Sequence, residues 1–229
     1  HGEYSEKGDY HRALDRTWKY YPVYVEKMRI VRDYLKTRKD QTILDLGCGE
    51  GVLVTEYRAK GYNITGIDFN YESAHVRRAS ILDTKLPANS VDLILCLDVI
   101  EHLNFSDQEK ALAEIQRVLK PGGTLYATLP NLAHFASRIT FLFLGKLLRT
   151  SEIERHPGDR PYGEFKKLIG KYLTVKNTSG IFPTYPLISL FTYFYPGYVV
   201  WWHRVWNTLF SLPTGFCFLN FFEAKKEKA

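Results

Sequence analysis

The chain has 229 residues, enough for one large domain with a sizeable core. Hydrophobic residues make up 45% and charged residues 24%, proportions that exclude a disordered or fibrous chain. The net charge of +6 is concentrated: between Arg138 and Lys176 nine Lys/Arg stand against four acids, a local +5 that suits a solvated helical face, acidic lipid headgroups, an anionic substrate or nucleic acid.

Residues 1–40 are polar and aromatic, and from Tyr24 the apolar positions Val25, Met28, Val31 and Leu35 recur at helical spacing, which predicts an amphipathic helix to about Lys36. "QTILDLGCGEG" then reads as a short apolar strand running into a glycine turn, and "GVLVTEYRAKGY" as a helix with Gly61 at its end. "NITGIDFN" is a second strand finishing in Asp68. Val91 to Leu97 is a third, apolar nearly throughout and so expected to be buried on both faces. "FSDQEKALAEIQRVLKPGG" is a helix, with Ser106 and Glu109 in capping-box spacing and Pro121, Gly122 and Gly123 as its stop. "TLYATLPN" follows as another strand. Further on, Tyr172–Val175 is a possible strand, and "FCFLNFFEAKK" reads as a final edge strand with a basic exit. Strands alternating with helices over short loops predict an α/β, doubly wound sheet, with ligands beyond the carboxyl ends of the strands.

Three polar groups fall at such ends: Asp45 with its glycines, Asp68, and the Asp98–His102 segment. Gly47, Gly49 and Gly51 give GxGxG rather than the GxGxxG of a dinucleotide turn, and Asp45 and Glu50 put negative charge where a pyrophosphate would sit. A cationic ligand group is attracted there instead. Asp68, 21 residues past Gly47, is placed to accept hydrogen bonds from a ribose diol. A cationic nucleoside without a pyrophosphate is therefore expected, and S-adenosylmethionine meets these conditions. Cys48, Cys96 and Cys217 are far apart with no CxxC pair, which argues against zinc or a disulfide framework and for a reducing, cytoplasmic setting.

At these positions the chain resembles the class I S-adenosylmethionine-dependent methyltransferases, of the type 11/23-like kind that act on small molecules. "ILDLGCGEG" resembles that family's first motif, "GIDFN" its second strand, "DTKLPANSVDLILCLDVIEHL" its third and fourth, and "LKPGGTLYATLPN" its fifth, all in order over residues 40–131. The resemblance implies a Rossmann-like seven-stranded sheet with an antiparallel edge strand. It also implies a cofactor site in which Asp45, Gly47 and Gly49 line the methionine end, with Cys48 and Gly51 of the same turn also cofactor-binding. Asp68 would then take the ribose, Phe69 would flank the adenine, Asp83 with Ile81 or Leu82 would reach its edge, and Leu97 and Asp98 would approach the cofactor. Only 14 residues separate Asp68 from Asp83, where a crossover helix and a strand are expected, so either the helix from Tyr71 is trimmed to a turn or two or part of the natural chain is absent here.

Glu101 and His102 follow at the acceptor edge. A methyl transfer to a hydroxyl needs in-line positioning and removal of one proton, and His102 has a suitable intrinsic pKa for it. The set Asp98, Glu101 and His102 also resembles the acidic-x-x-Glu-His pattern of certain metal-assisted O-methyltransferases, and His156 is a candidate further ligand for Mg²⁺. Ile181 to Trp202 is 22 residues without a formal charge, but Pro183, Pro186, Pro196 and Gly197 interrupt it, so an interfacial surface or a lid over a greasy substrate is expected rather than a membrane span. The expectation is one methyltransferase domain over 1–229: a cap (1–40), a cofactor core (41–131), acceptor-side insertions (132–215) and a strand with a basic tail (216–229). Its acceptor would be small or lipid-like and methylated at oxygen, with membrane-surface contact through 181–215. Nucleic acid is the rival acceptor, disfavoured because that aromatic stretch lacks interleaved cations. A non-catalytic cofactor-binding protein is the second rival.

Overall fold

A computed structural model describes residues 14–149 and 151–228. Helix α1 (Tyr21–Leu35) leads into β1 (Thr42–Leu46), α2 (Val52–Ala59), β2 (Asn63–Asp68), β3 (Val76–Arg78) and β4 (Val91–Leu97). A 3₁₀ turn (Ile100–His102) precedes α3 (Phe105–Val118) and β5 (Leu119–Pro130). Then come α4 (Phe135–Leu144), α5 (Tyr162–Gly170), β6 (Thr174–Pro183), α6 (Pro186–Phe194), α7 (Val200–Phe210) and β7 (Cys217–Lys225). Residues 1–13 of the expected N-terminal cap lie outside the described residues.

The strands form one seven-stranded sheet in the order β3-β2-β1-β4-β5-β7-β6, so the α/β, doubly wound expectation holds. β4 shows why its sequence is apolar throughout. Leu93 and Leu95 pack with Val31 and Leu35 of α1 and Leu53 and Val54 of α2, while Ile94 and Cys96 pack with Leu112 and Ile115 of α3 and Phe165 and Leu168 of α5. A strand covered by helices on both faces has no polar side to show. Each large side chain so buried contributes roughly 1.5–3 kcal/mol by leaving water.

Three expectations are corrected. β7 is antiparallel to both β5 and β6, but it lies between them, so the antiparallel strand is one place in from the edge. Its side chains are buried almost throughout, whereas β6, the actual edge, exposes Thr174, Lys176 and Asn177. Second, no helix joins β2 to β3. The link is a tight turn bridged between Ser73 and Val76, and β3 is three residues long. A cavity of about 450 Å³ opens beside it, lined among others by Arg58, Thr65, Glu72, His75 and Arg77. Third, α3 is capped by Asn104, whose side chain accepts from the Asp107 backbone N–H at 2.9 Å, and not by a Ser106–Glu109 box. The Ser106 hydroxyl donates to Asn104 instead, and Glu109 reaches Lys171.

Candidate active site

The sheet order reverses between β1 and β4, and the polar positions gather where those strands end. In register, Leu46 lies beside Ile67 of β2 and Cys96 of β4, so Gly47, Asp68 and Leu97 leave the sheet together. Gly47 has a φ of +70°, and a Cβ on it would stand 2.4 Å from a Val99 methyl just past β4. Only glycine fits this approach. Gly49 also has a positive φ, and its N–H donates to Asp68 Oδ2 at 2.9 Å. Asp68 Oδ1 accepts from the Asn70 and Tyr71 N–H groups at 2.8 and 3.3 Å. The half-buried Asp68 carboxylate thus ties the first glycine turn to the exit of β2. Gly51, at +77°, sits before α2 and packs against Val76 of β3. Cys48 is half-buried, with its sulfur against Gly66. Asp45 is 5% exposed, inside the sheet end rather than on the rim.

Phe69 is exposed beside this turn. The Ala79 N–H donates to the Asp68 carbonyl at 3.0 Å, which brings the 79–83 stretch alongside. Ile81 and Leu82 are half-buried there, and Asp83 is exposed and ion-paired with Lys85. Behind them the Glu114 carboxylate accepts from Thr84 N–H and Oγ1 at 2.9 and 2.6 Å. Arg117 also binds it, and together with Thr84 it outweighs the effect of burial and lowers the Glu114 pKa to about 2.

Asp98 occupies a left-handed backbone conformation, φ +57°, at the end of β4. Its Oδ2 accepts from Lys27 Nζ at 2.6 Å and its Oδ1 from the Thr128 hydroxyl. Burial opposes the charge, but Lys27 and Thr128 more than offset it, and the Asp98 pKa is lowered. Lys27, from the inner face of α1, has a side chain only 4% exposed. No motif points to it; the available signal was a cation beside Tyr24, Met28 and Val31 on an otherwise apolar stripe.

Glu101 is 1% exposed, and its Oε2 is buried with no hydrogen-bond partner. Burial, reinforced by the Asp98 charge, pushes its pKa well above the usual carboxylate value. His102 Nδ1 lies 2.8 Å from the Arg155 carbonyl. A carbonyl only accepts, so Nδ1 carries the proton and Nε2 keeps a free lone pair. Part of the residue reaches solvent, yet ring desolvation, with His156 second, holds its pKa below the usual imidazole value. His156 stands edge-on to His102 with ring centroids 4.5 Å apart. One ligand atom each from Glu101, His102 and His156 lie within 4.8 Å of one another. Asp98, the fourth metal candidate, turns instead to Lys27 and Thr128.

His156 reaches His102 because its loop is tied down. The Gly158 N–H donates to the Glu101 carbonyl at 3.1 Å, and the buried Gln108 amide donates to the Gly158 and Ile100 carbonyls at 2.7 and 3.1 Å. A Cβ on Gly158 would stand 2.1 Å from Gln108 Nε2. Neither Gln108 nor Gly158 was expected as a positioning group.

Residues 44–127 match the family model described as a methyltransferase domain. The ubiquinone biosynthesis O-methyltransferase of Colwellia psychrerythraea is 26% identical over 136 residues, covering 53% of this chain and 54% of that protein. A probable S-adenosylmethionine-dependent methyltransferase of Mycolicibacterium smegmatis is 32% identical over 109 residues, covering 43% and 39%. The chain thus spans about half or less of the length of these curated relatives. Among solved structures, a SAM dependent methyltransferase from Archaeoglobus fulgidus matches with a TM-score of 0.57 at 19% identity, covering 95% of this chain and 100% of that one. The 1,6-didemethyltoxoflavin-N1-methyltransferase of Burkholderia thailandensis, solved with S-adenosylhomocysteine, matches with a TM-score of 0.57 at 15% identity, covering 98% and 84%. At these identities the structural likeness establishes the fold.

Proposed function

The chain carries a class I, S-adenosylmethionine-dependent methyltransferase domain, and from that premise we propose that it transfers a methyl group to the oxygen of a small or lipid-like apolar acceptor. One observation carries the reading. A glycine turn in left-handed conformation closes onto the Asp68 carboxylate at the sheet's switch point, so the site offers acidic and backbone groups to a cationic nucleoside. Asp45, Gly47, Cys48, Gly49 and Gly51 would hold the methionine end. Asp68 would hold the ribose and exposed Phe69 would flank the base. Leu82, Asp83, Leu97 and Asp98 would complete the cofactor side. When bound, S-adenosylmethionine supplies an electrophilic methyl carbon on a sulfonium.

The residues of the chain then have positioning and one proton to manage. With the cofactor supplying the methyl group, the acceptor hydroxyl would pass its proton to His102 Nε2, the nitrogen left unprotonated. The acceptor side is residues 132–215, whose aromatic side chains favour an apolar molecule and a membrane-surface placement through 181–215. A cytoplasmic setting belongs to the same proposal, with Cys96 and Cys217 buried as free thiols.

A second reading concerns a divalent cation, Mg²⁺ or Mn²⁺. Three ligand atoms within 4.8 Å and an unpartnered buried carboxylate oxygen on Glu101 fit a small oxygen- and nitrogen-binding ion. Bound there, it would polarise an acceptor oxygen, while Gln108 and Gly158 would keep His156 in place. Incubation with methyl-labelled cofactor and separate lipid, small-molecule and RNA extracts tests the function. Label in an apolar or small-molecule product supports it, label in RNA favours the nucleic-acid rival, and no transfer to any pool contradicts it.

A further inference from the structure

The exposed apolar side chains are not spread over the molecule. Among the described residues, 23 large apolar side chains are exposed, and all but Phe69 and Phe105 lie between Ile139 and Leu212. They sit on α4, α6, α7 and their links. Phe143 is 75% exposed, Leu142 73%, Leu187 69% and Tyr198 84%, and the stacked pair Trp201 and Trp202 is open as well. Ordinary monomers scatter such residues singly.

These helices are held together and near the candidate site. α4 leaves the carboxyl end of β5 and α6 that of β6, the same end of the sheet as Gly47 and Asp98. The Thr184 hydroxyl accepts from the Ala136 N–H at 2.9 Å and meets His134 Nδ1 at 2.8 Å, which fixes α4 beside the start of α6. Thr192 of α6 meets His203 Nε2 of α7 at 2.7 Å, buried between them. Tyr185 packs on both Phe135 and Trp206. The apolar face therefore rests on a polar frame whose hydrogen bonds point inward.

The three helices carry charges of one sign. The formal charges of α4, the 145–149 link, α6 and α7 are Arg138, Lys146, Arg149 and Arg204, with no acid among them, and the exposed acids Glu152 and Glu154 come only in the next loop, beside Ile153. The acids that approach them from elsewhere, Asp159 at Arg149 and Glu26 at Arg204, have side chains only 3% exposed. Solvent therefore meets Phe, Leu, Trp and Tyr rimmed by cations, the composition of a segment that lies in a headgroup region. Crossing is not open to it, since no described helix is long and apolar enough to span a membrane.

We propose that α4, α6 and α7 form one docking surface for an anionic lipid bilayer, which they enter to the depth of the headgroups. The proposal deepens the membrane placement given above and does not need methyl transfer to occur. The apolar side chains supply burial, and the cationic rim selects acidic headgroups.

The test uses the full chain and sucrose-loaded vesicles of phosphatidylcholine alone or with about 30% phosphatidylglycerol. The expected result is sedimentation with the acidic vesicles, weakened at high salt, and a partition coefficient at least roughly tenfold lower for the Phe143→Glu, Tyr198→Glu double variant. Lys146→Glu should weaken only the acidic-vesicle binding. These positions are open to solvent, so the variants should keep the wild-type circular dichroism and S-adenosylmethionine affinity, and that affinity reports separately on the cofactor site. Equal sedimentation of wild type and folded double variant overturns the proposal. So does a wild type that ignores both vesicles, or one that forms a dimer dispersed by the double variant while leaving vesicles unbound.

Discussion

Lys27 and Asp98 stand 71 positions apart in the chain and meet at 2.6 Å, joining the cap helix α1 to the end of β4. The lysine side chain is 4% exposed and the aspartate 29%, so the pair is shielded on one side and reachable from the candidate site on the other. Removing Lys27 leaves the half-shielded Asp98 carboxylate without its counter-ion. Lys27→Met should destabilise the fold by about 2–3 kcal/mol in urea unfolding, toward the low end for buried pairs because Asp98 is partly open. The Lys27→Met, Asp98→Asn double variant should recover part of that loss. Strictly additive effects would show that the two charges do not act as a pair.

Gly47 tests the glycine turn. Its positive φ and the 2.4 Å approach of a Cβ to Val99 mean that Gly47→Ala should cost roughly 1–3 kcal/mol and weaken S-adenosylmethionine binding. Adding Val99→Ala removes the contact but not the backbone strain, so it should restore stability only in part. Full affinity in Gly47→Ala alone would place the ligand elsewhere.

Glu101 and His156 separate the metal reading from a purely protic site. Burial disfavours the charged form of Glu101, and glutamine is a neutral group of nearly the same shape, so Glu101→Gln should leave stability within about 1 kcal/mol of wild type. If a cation binds between Glu101, His102 and His156, that variant and His156→Ala should both abolish calorimetric binding of Mn²⁺. Heat of Mn²⁺ binding that both variants retain would remove these residues as its ligands.

The buried histidines of the insertions give a pH dependence with a definite sign. Burial lowers the pKa of His134 and of His203 to about 4, below the usual imidazole value, so both are neutral in the folded protein while the unfolded chain takes up protons first. Their contribution is complete above the unfolded pKa near 6.5 and is lost as pH falls toward about 4. Between pH 7 and pH 5 each should cost about 2 kcal/mol of stability. His203→Gln should flatten the fall in urea midpoint over that range, and an unaltered slope would contradict the assignment.

How much of this was legible follows from the range of each signal. Gly47, Gly49 and Asp68 could be read directly, because a glycine turn at a strand end and an acid one strand later are local patterns. Lys27, Gln108 and Glu114 could not, since their partners Asp98, Gly158 and Thr84 lie 71, 50 and 30 positions away. His156 was placed near His102 by resemblance, but the reason it arrives there, the Gln108 clasp on Gly158, is a tertiary contact. The interior place of β7 did have a local signal. "CFLNFFEAK" is apolar almost throughout, as an interior strand must be, whereas "TVKNTSGIFP" carries the polar residues that guard an edge. The missing crossover helix between β2 and β3 was signalled by the 14-residue interval but underestimated, because a turn bridged at Ser73–Val76 needs even less chain than a trimmed helix.

Calorimetric titration of S-adenosylmethionine into the wild type and into Asp68→Ala tests the central claim most directly. Saturable one-site binding by the wild type is predicted, weakened at least roughly tenfold in an Asp68→Ala protein of unchanged circular dichroism. Equal affinity in the two proteins, or no binding by the wild type, would contradict it.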